Sequence, residues 1–221
     1  ITSTNGDLIF LAGGNIIAGT QDIFLSAADG IDLDLNLSTT TGNIFIDADN
    51  DTDADGLLDT SGTITTTGGN ISIVADDITI GANIDSSTGT IFIQPSTAIT
   101  IGLGGGAGDF NLDATEDNFL TADTLDIGLS TSGDITLGSF DPGPPARVTT
   151  LILRTDGSIS ATVDNTADIS GVVSLAMDAD DGISVDIDVT NLALANSASG
   201  DVTIQDTAGN LTIDTVSTFS G

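Results

Sequence analysis

A five-residue unit recurs along this chain: Gly, then Asn, Asp, Thr or Ser, then an apolar-x-apolar triplet. It reads Gly42-Asn43-Ile44-Phe45-Ile46, Gly69-Asn70-Ile71-Ser72-Ile73, Gly89-Thr90-Ile91-Phe92-Ile93 and Gly133-Asp134-Ile135-Thr136-Leu137. It returns at Gly200-Asp201-Val202-Thr203-Ile204 and Gly209-Asn210-Leu211-Thr212-Ile213. The alternation inside each triplet is the period of two of a short strand with one buried face. Second triplets such as Ile78-Thr79-Ile80, Ile99-Thr100-Ile101 and Leu151-Ile152-Leu153 lie between the copies. A strand of three or four residues is not stable alone. Stacked on its equivalents, it forms a parallel sheet that pairs each backbone donor and acceptor along the stack. Gly69 and Gly89 are 20 residues apart and Gly108 follows 19 further on. The expected fold is therefore all-β, a parallel β-helix (solenoid) with rungs of about 20 residues and Gly, Asn or Asp at the corners. At about 4.8 Å per rung, roughly ten rungs would make a rod of about 50 Å.

Competing folds fit less well. Thr, Ile, Val, Asp, Asn and Gly disfavour helix, and no stretch carries apolar residues at helical spacing for three turns. An antiparallel sandwich also uses many short strands, but the near-constant spacing argues against it. The pattern starts at Gly6-Asp7-Leu8 and runs to Leu211-Thr212-Ile213. Residues 1–221 are expected to be a single β-helical segment that continues in a longer protein or stacks end to end on copies of itself, because exposed terminal rungs present open sheet edges.

Composition narrows the function. With 33 acidic and 2 basic residues the formal charge is −31, yet 39% of the 221 residues are hydrophobic, enough to build a core and exclude disorder. His, Cys, Lys, Trp and Tyr are all missing, which removes imidazole and thiol chemistry, zinc sites with nitrogen or sulfur ligands, Schiff-base lysines and disulfides. So anionic a surface repels phosphate backbones and anionic lipid, so no nucleic acid partner is expected. No apolar run approaches the roughly 20 residues of a spanning helix, so no membrane insertion is expected. The chain opens Ile1-Thr2-Ser3, with neither an initiator Met nor a signal peptide, and reads as a processed chain or an excised segment. Polysaccharide lyases and hydrolases do occur on β-helices. Here only Arg147 and Arg154 could meet an acidic sugar, and no Trp or Tyr platform exists for stacking, so the chain is not expected to be an enzyme.

The stretch from Gly68-Gly69-Asn70-Ile71 through Asp76-Asp77-Ile78-Thr79-Ile80 to Asp85 resembles the repeats of filamentous-haemagglutinin-type, two-partner-secreted bacterial surface proteins. The resemblance covers most of the chain at the level of the repeat, while the longer, irregular rungs and an Asp-rich loop depart from it. It implies a right-handed β-helical fibre, secreted to the bacterial cell surface, that serves adhesion or cell contact by engaging a cell-surface or matrix ligand. It also admits a self-assembling filament or surface-layer subunit.

The richest local motif is Asp47-Ala48-Asp49-Asn50-Asp51-Thr52-Asp53-Ala54-Asp55-Gly56-Leu57-Leu58-Asp59. Within it, Asp51-x-Asp53-x-Asp55-Gly56-x-x-Asp59 has the spacing of calcium loops such as the EF-hand and thrombospondin type 3 repeats. Alternate carboxylates in a tight turn can converge on one hard cation that takes six to eight oxygens. The resemblance implies Asp51, Asp53, Asp55 and Asp59 as side-chain ligands of Ca2+ and Leu57 as a carbonyl ligand. Gly62 stands where the last acidic ligand belongs, so Asp47 or Asp49 would substitute. The alternative is a solvated acidic loop. Asp178-Ala179-Asp180-Asp181-Gly182 is a weaker echo. Asp outnumbers Glu 32 to 1, a bias toward turns and cation ligands rather than helical surface.

Rung length varies. From the Gly of the first triplet to the second triplet, the interval is 9 residues at Gly69 and 10 at Gly89, but 17, 18 and 16 at Gly108, Gly133 and Gly157. The segments Asp113 to Ala122, Ser139 to Arg147 and Ala161 to Asp168 are therefore expected to leave from one corner as a ridge, with Asp47 to Ser61 at the same corner. Such a ridge is either a binding surface or tolerated insertion. Phe24, Phe45 and Phe92 occupy the outward position of their triplets, where they either stack as a ladder or mark a contact with another chain.

Overall fold

The structure is a computed structural model that describes residues 1–143, 147–161 and 164–213. It is all-β, a parallel β-solenoid of about nine turns. The chain forms two compact units, Ile1–Thr97 with Phe119–Leu125, and Ala98–Asn118 with Asp126–Gly221.

In the first unit each turn visits three faces. Face 1 holds Leu8–Phe10, Gly30–Leu33, Leu57–Thr60 and Asp77–Ile80; face 2 holds Asn15–Gly19, Asn36–Thr39, Ile64–Thr66 and Ile84–Asp85; face 3 holds Ile23–Ser26, Ile44–Asp47, Ile71–Ala75 and Thr90–Pro95. The pairings are parallel and, apart from a register shift between Ile17 and Gly19 on face 2, in step, so on face 3 aliphatic stacks on aliphatic: Ile23, Ile44, Ile71 and Ile91 in one column, Leu25, Ile46, Ile73 and Ile93 in the next. These columns are almost fully buried, and each such side chain contributes roughly 1.5–3 kcal/mol.

The structure also explains the Gly-Asn corner. Asp22 Oδ1 accepts the backbone N–H of Asn43 at 2.7 Å, Asn43 Oδ1 that of Asn70 at 2.9 Å, and Asn70 Oδ1 that of Thr90 at 2.9 Å. Each polar residue thus bonds the turn laid over it. The preceding Gly lets those turns close: a Cβ on Gly69 would lie 2.1 Å from Gly42 O, and one on Gly89 2.0 Å from Gly69 O.

The second unit builds its turns from two faces. Face 4 holds Ile101–Leu103, Phe110–Leu112, Ile135–Leu137, Ile159–Ser160, Ile183–Ile187 and Val202–Asp206. Face 5 holds Val148–Arg154, Ser174–Ala179, Asn191–Asn196 and Thr212–Ile213. The segment after Gly108 does not open a new turn, contrary to the 19-residue step. Phe110 pairs back beside Ile101, and Ile135 flanks Ile101 on its other side.

Two of the three long intervals fall between faces 4 and 5. Ser139 to Arg147 and Ala161 to Asp168 both leave face 4 and lead to face 5, and Asp113 to Ala122 likewise leaves face 4 after Leu112; residues 144–146 and 162–163 lie outside the described residues. Phe140 bridges Ile169, and Ile169 bridges Ile187, all parallel. All three side chains are fully buried. The chain that follows Leu137 and the chain that follows Ser160 therefore stack on each other and send apolar residues inward. The Asp47 to Ser61 insertion differs: it leaves face 3 and enters face 1. The short Gly69-to-Ile78 interval also runs from face 3 to face 1, so the short and long intervals span different pairs of faces.

Candidate functional site

The acidic loop joins Ile44–Asp47 on face 3 to Leu57–Thr60 on face 1. Its near end continues the solenoid: Ala48 N–H donates to Val74 O at 2.8 Å, and Asn50 N–H to Ala27 O at 2.9 Å. The Asn50 side chain pins the loop through Ser26 Oγ at 2.8 Å and Ser3 O at 3.1 Å. Beyond Asn50 the chain reverses, with Thr52 and Ala54 both in the left-handed region at φ 59° and 69°. Gly56 is not the bend the motif suggests. A Cβ there would meet Ala48 O at 2.2 Å, so Gly is required for close packing.

Asp49 is the hub, with only 1% of its surface exposed. Its carboxylate accepts Ser96 Oγ–H at 2.5 Å and the N–H groups of Asp53 and Ala54 at 3.3 Å each. Oxygens of Asp49, Asp51 and Asp53 lie within 4.8 Å of one another. Asp51 and Asp53 are exposed. Asp55 approaches Asp53, and hydrogen bonding between the two carboxyls, then desolvation and the charge of Asp53, push Asp55 up to about 6. Asp51 is also raised, by desolvation and then by Asp53. Like charges held this close favour protons or a cation. The chain's only two basic side chains, Arg147 and Arg154, belong to the other unit. There Arg154 pairs with Asp126 at 3.1 Å and Arg147 Nη1 donates to Asn118 O.

The other members of the anticipated ligand set lie apart from this group. Asp47 is on the outer side of face 3, where desolvation raises its pKa against a stabilising bond from the Asp49 N–H. Leu57 begins the face 1 strand, in register between Gly30 and Asp77. Asp59 stands between Asp32 and Thr79 on the outer side of face 1. Asp59 and Leu57 instead line an open cleft with Asp7, Asp29 and Asp32. Desolvation, then Asp34, Asp59 and Asp7, raise Asp32. Strand geometry separates what is adjacent in sequence, because each step along a strand turns the next side chain to the opposite side. The fit for a hard cation is thus with Asp49, Asp51 and Asp53, with Asp55 next to them.

The echo at Asp178 to Gly182 is a corner rather than a loop. Asp180 accepts Ser197 Oγ–H and Asp181 accepts Ser199 Oγ–H at 2.7 Å, each tying one turn to the next.

Phe24 and Phe45 stack face to face at 4.7 Å with rings 7° from parallel. The ladder then breaks: Ser72 stands in register between Phe45 and Phe92. Beside this break runs a groove of about 300 Å³, lined by Phe24, Phe45, Asp47, Ser72 and Val74 among others. Ser96, a partner of Asp49 from 47 residues away, and Ser72 both escaped the sequence reading. Aligning the triplets would have exposed Ser72 as the small residue in a Phe column; nothing local marks Ser96.

No protein family, curated protein or solved structure matches this chain. The likeness to filamentous-haemagglutinin-type repeats rests on the repeat pattern and on the β-solenoid it produces.

Proposed function

We propose that this chain is a stiff extracellular scaffold, a segment of a secreted bacterial surface fibre or adhesin, whose acidic loop binds calcium. The carrying observation is the convergence of Asp49, Asp51 and Asp53 oxygens within 4.8 Å on a parallel β-solenoid of net charge −31. A solenoid suits the role because its stability adds turn by turn and its sides remain free for partners. Calcium would tie the exposed carboxylates to the buried Asp49 hub and relieve their repulsion. A subunit that stacks end to end on copies of itself is the second structural reading, since the in-register aliphatic columns of face 3 can be extended by any turn of the same pattern.

Titration calorimetry with CaCl2 tests the metal. Wild type should bind in the roughly 0.1–1 mM range typical of extracellular modules, and the double variant Asp51→Asn, Asp53→Asn should lose at least about tenfold in affinity, roughly 1.4 kcal/mol. No heat at millimolar calcium, or equal binding by the variant, would exclude the loop. Electron microscopy across a concentration series separates the two structural readings: filaments that lengthen with concentration support assembly.

A further inference from the structure

We propose that the groove over Ser72 is a binding slot for an arginine side chain of a partner protein. The outer side of face 3 carries one column of Phe24, Phe45, Ser72 and Phe92 and beside it a column of Ser26, Asp47, Val74 and Gln94. Phe24 and Phe45 stack at the strand repeat itself, 4.7 Å. Phe45 and Phe92 flank Ser72 on neighbouring strands, so they stand two strand repeats apart, about 9.6 Å. The groove reaches over Ser72 against the Phe45 ring and leaves room there for one planar group; Phe92 does not line it. The slot has an acid at its side: Asp47 lines the groove, and its Oδ1 is buried with no hydrogen-bond partner among the described residues. A buried acceptor left unpaired is costly, so the site favours a donor.

The occupant is set by charge and shape together. A chain of net charge −31 selects a cation. A planar guanidinium can lie against aromatic faces while its N–H fork reaches a carboxylate, whereas an ammonium is a compact, strongly hydrated point charge that does only the second. Both of the chain's own guanidinium groups are engaged within the other unit, with Asp126 and with Asn118 O. The arginine therefore comes from another protein, and the exposed Phe24, 57% accessible, extends an apolar shelf for the residues next to it.

The test is a methyl-NMR titration of the full chain, in EDTA so that calcium plays no part, with acetyl-Gly-Arg-Gly-amide against acetyl-Gly-Lys-Gly-amide at about 150 mM salt to suppress non-specific attraction. The Val74 methyl signals should shift saturably, and the arginine peptide should bind roughly fivefold or more tightly than the lysine peptide. Ser72→Phe fills the slot with a ring and should abolish that preference. Asp47→Asn keeps the size and removes the charge, and should weaken arginine binding at least about threefold. Equal affinity for the two peptides overturns the proposal, as does a preference that survives Ser72→Phe. Should Ser72→Phe not fold, Asp47→Asn decides: unchanged arginine affinity overturns the slot.

Discussion

The two units close the same kind of repeat in different ways. In the first, each turn has three short strands joined by polar corners, where an Asn or Asp of one turn accepts a backbone N–H of the next; the second keeps such a corner at Asp134, whose Oδ1 accepts the Ser158 N–H at 2.7 Å, but has fewer strands per turn. In the second, two faces suffice because the excursions between them supply buried side chains, Phe140 and Ile169, where the first unit has a strand. A β-solenoid needs a filled interior and paired backbone; it does not need the same number of strands in every turn. The difference also governs where polar chemistry can sit. The first unit's long insertion is free to gather carboxylates because its neighbours on faces 1 and 3 already complete the core, whereas the second unit's excursions are held by what they bury.

The largest test of this contrast is Phe140→Ala. If the excursions are core, the second unit should lose about 3–5 kcal/mol, and limited proteolysis should cut it while the first unit stays protected. A loss under about 1 kcal/mol would reduce these segments to surface loops.

A second test uses pH. Asp117, in the first excursion, is buried, with its carboxyl accepting the N–H of Asp141 at 3.1 Å and the Asn118 amide at 2.9 Å. Burial is the main cause that pushes it up to about 6. Its folded value lies above the ordinary 3.8, so the folded state holds the proton more tightly. The stabilisation is complete below pH 4 and is lost as pH rises through about 6. The melting temperature of the second unit should therefore rise from pH 7 to pH 5, and Asp117→Asn should flatten that slope. An unchanged slope would break the assignment. In the first unit the proposed calcium site gives the opposite sign, since protonation of Asp55 near pH 6 competes with the metal.

The smallest effect is expected from Asn43→Ala. It removes one acceptor from the corner ladder and should cost the first unit about 1 kcal/mol, read as a shift in its denaturation midpoint with no change in the second unit. An unshifted midpoint would mean that the corner bond adds nothing to the turns it joins.

The fold was legible because its signal is local and repeated: every triplet announces a strand, and Gly-Asn announces the corner that joins it to the next turn. The outward phenylalanines were legible for the same reason, and Phe24 with Phe45 does form the anticipated ladder. The candidate metal loop was legible only in part. Asp49, Asp51 and Asp53 come together, but Asp47 and Asp59 already belong to flanking strands and face away with them. Gly108 misled because it has the motif of a turn start, while the close backbone packing of this Gly-rich stretch lets Phe110 fold back beside Ile101.

From its residues alone, this chain had to become a stack of parallel strands with an aliphatic interior and an acidic exterior, since period, branching and charge are written into each short segment. Which excursion residues turn inward, which carboxylates meet, and where a serine interrupts a column of rings were decided only when the turns lay over one another. Apart from carboxylates within one loop, those contacts join residues 18 or more positions apart, and their geometry depends on the register between turns.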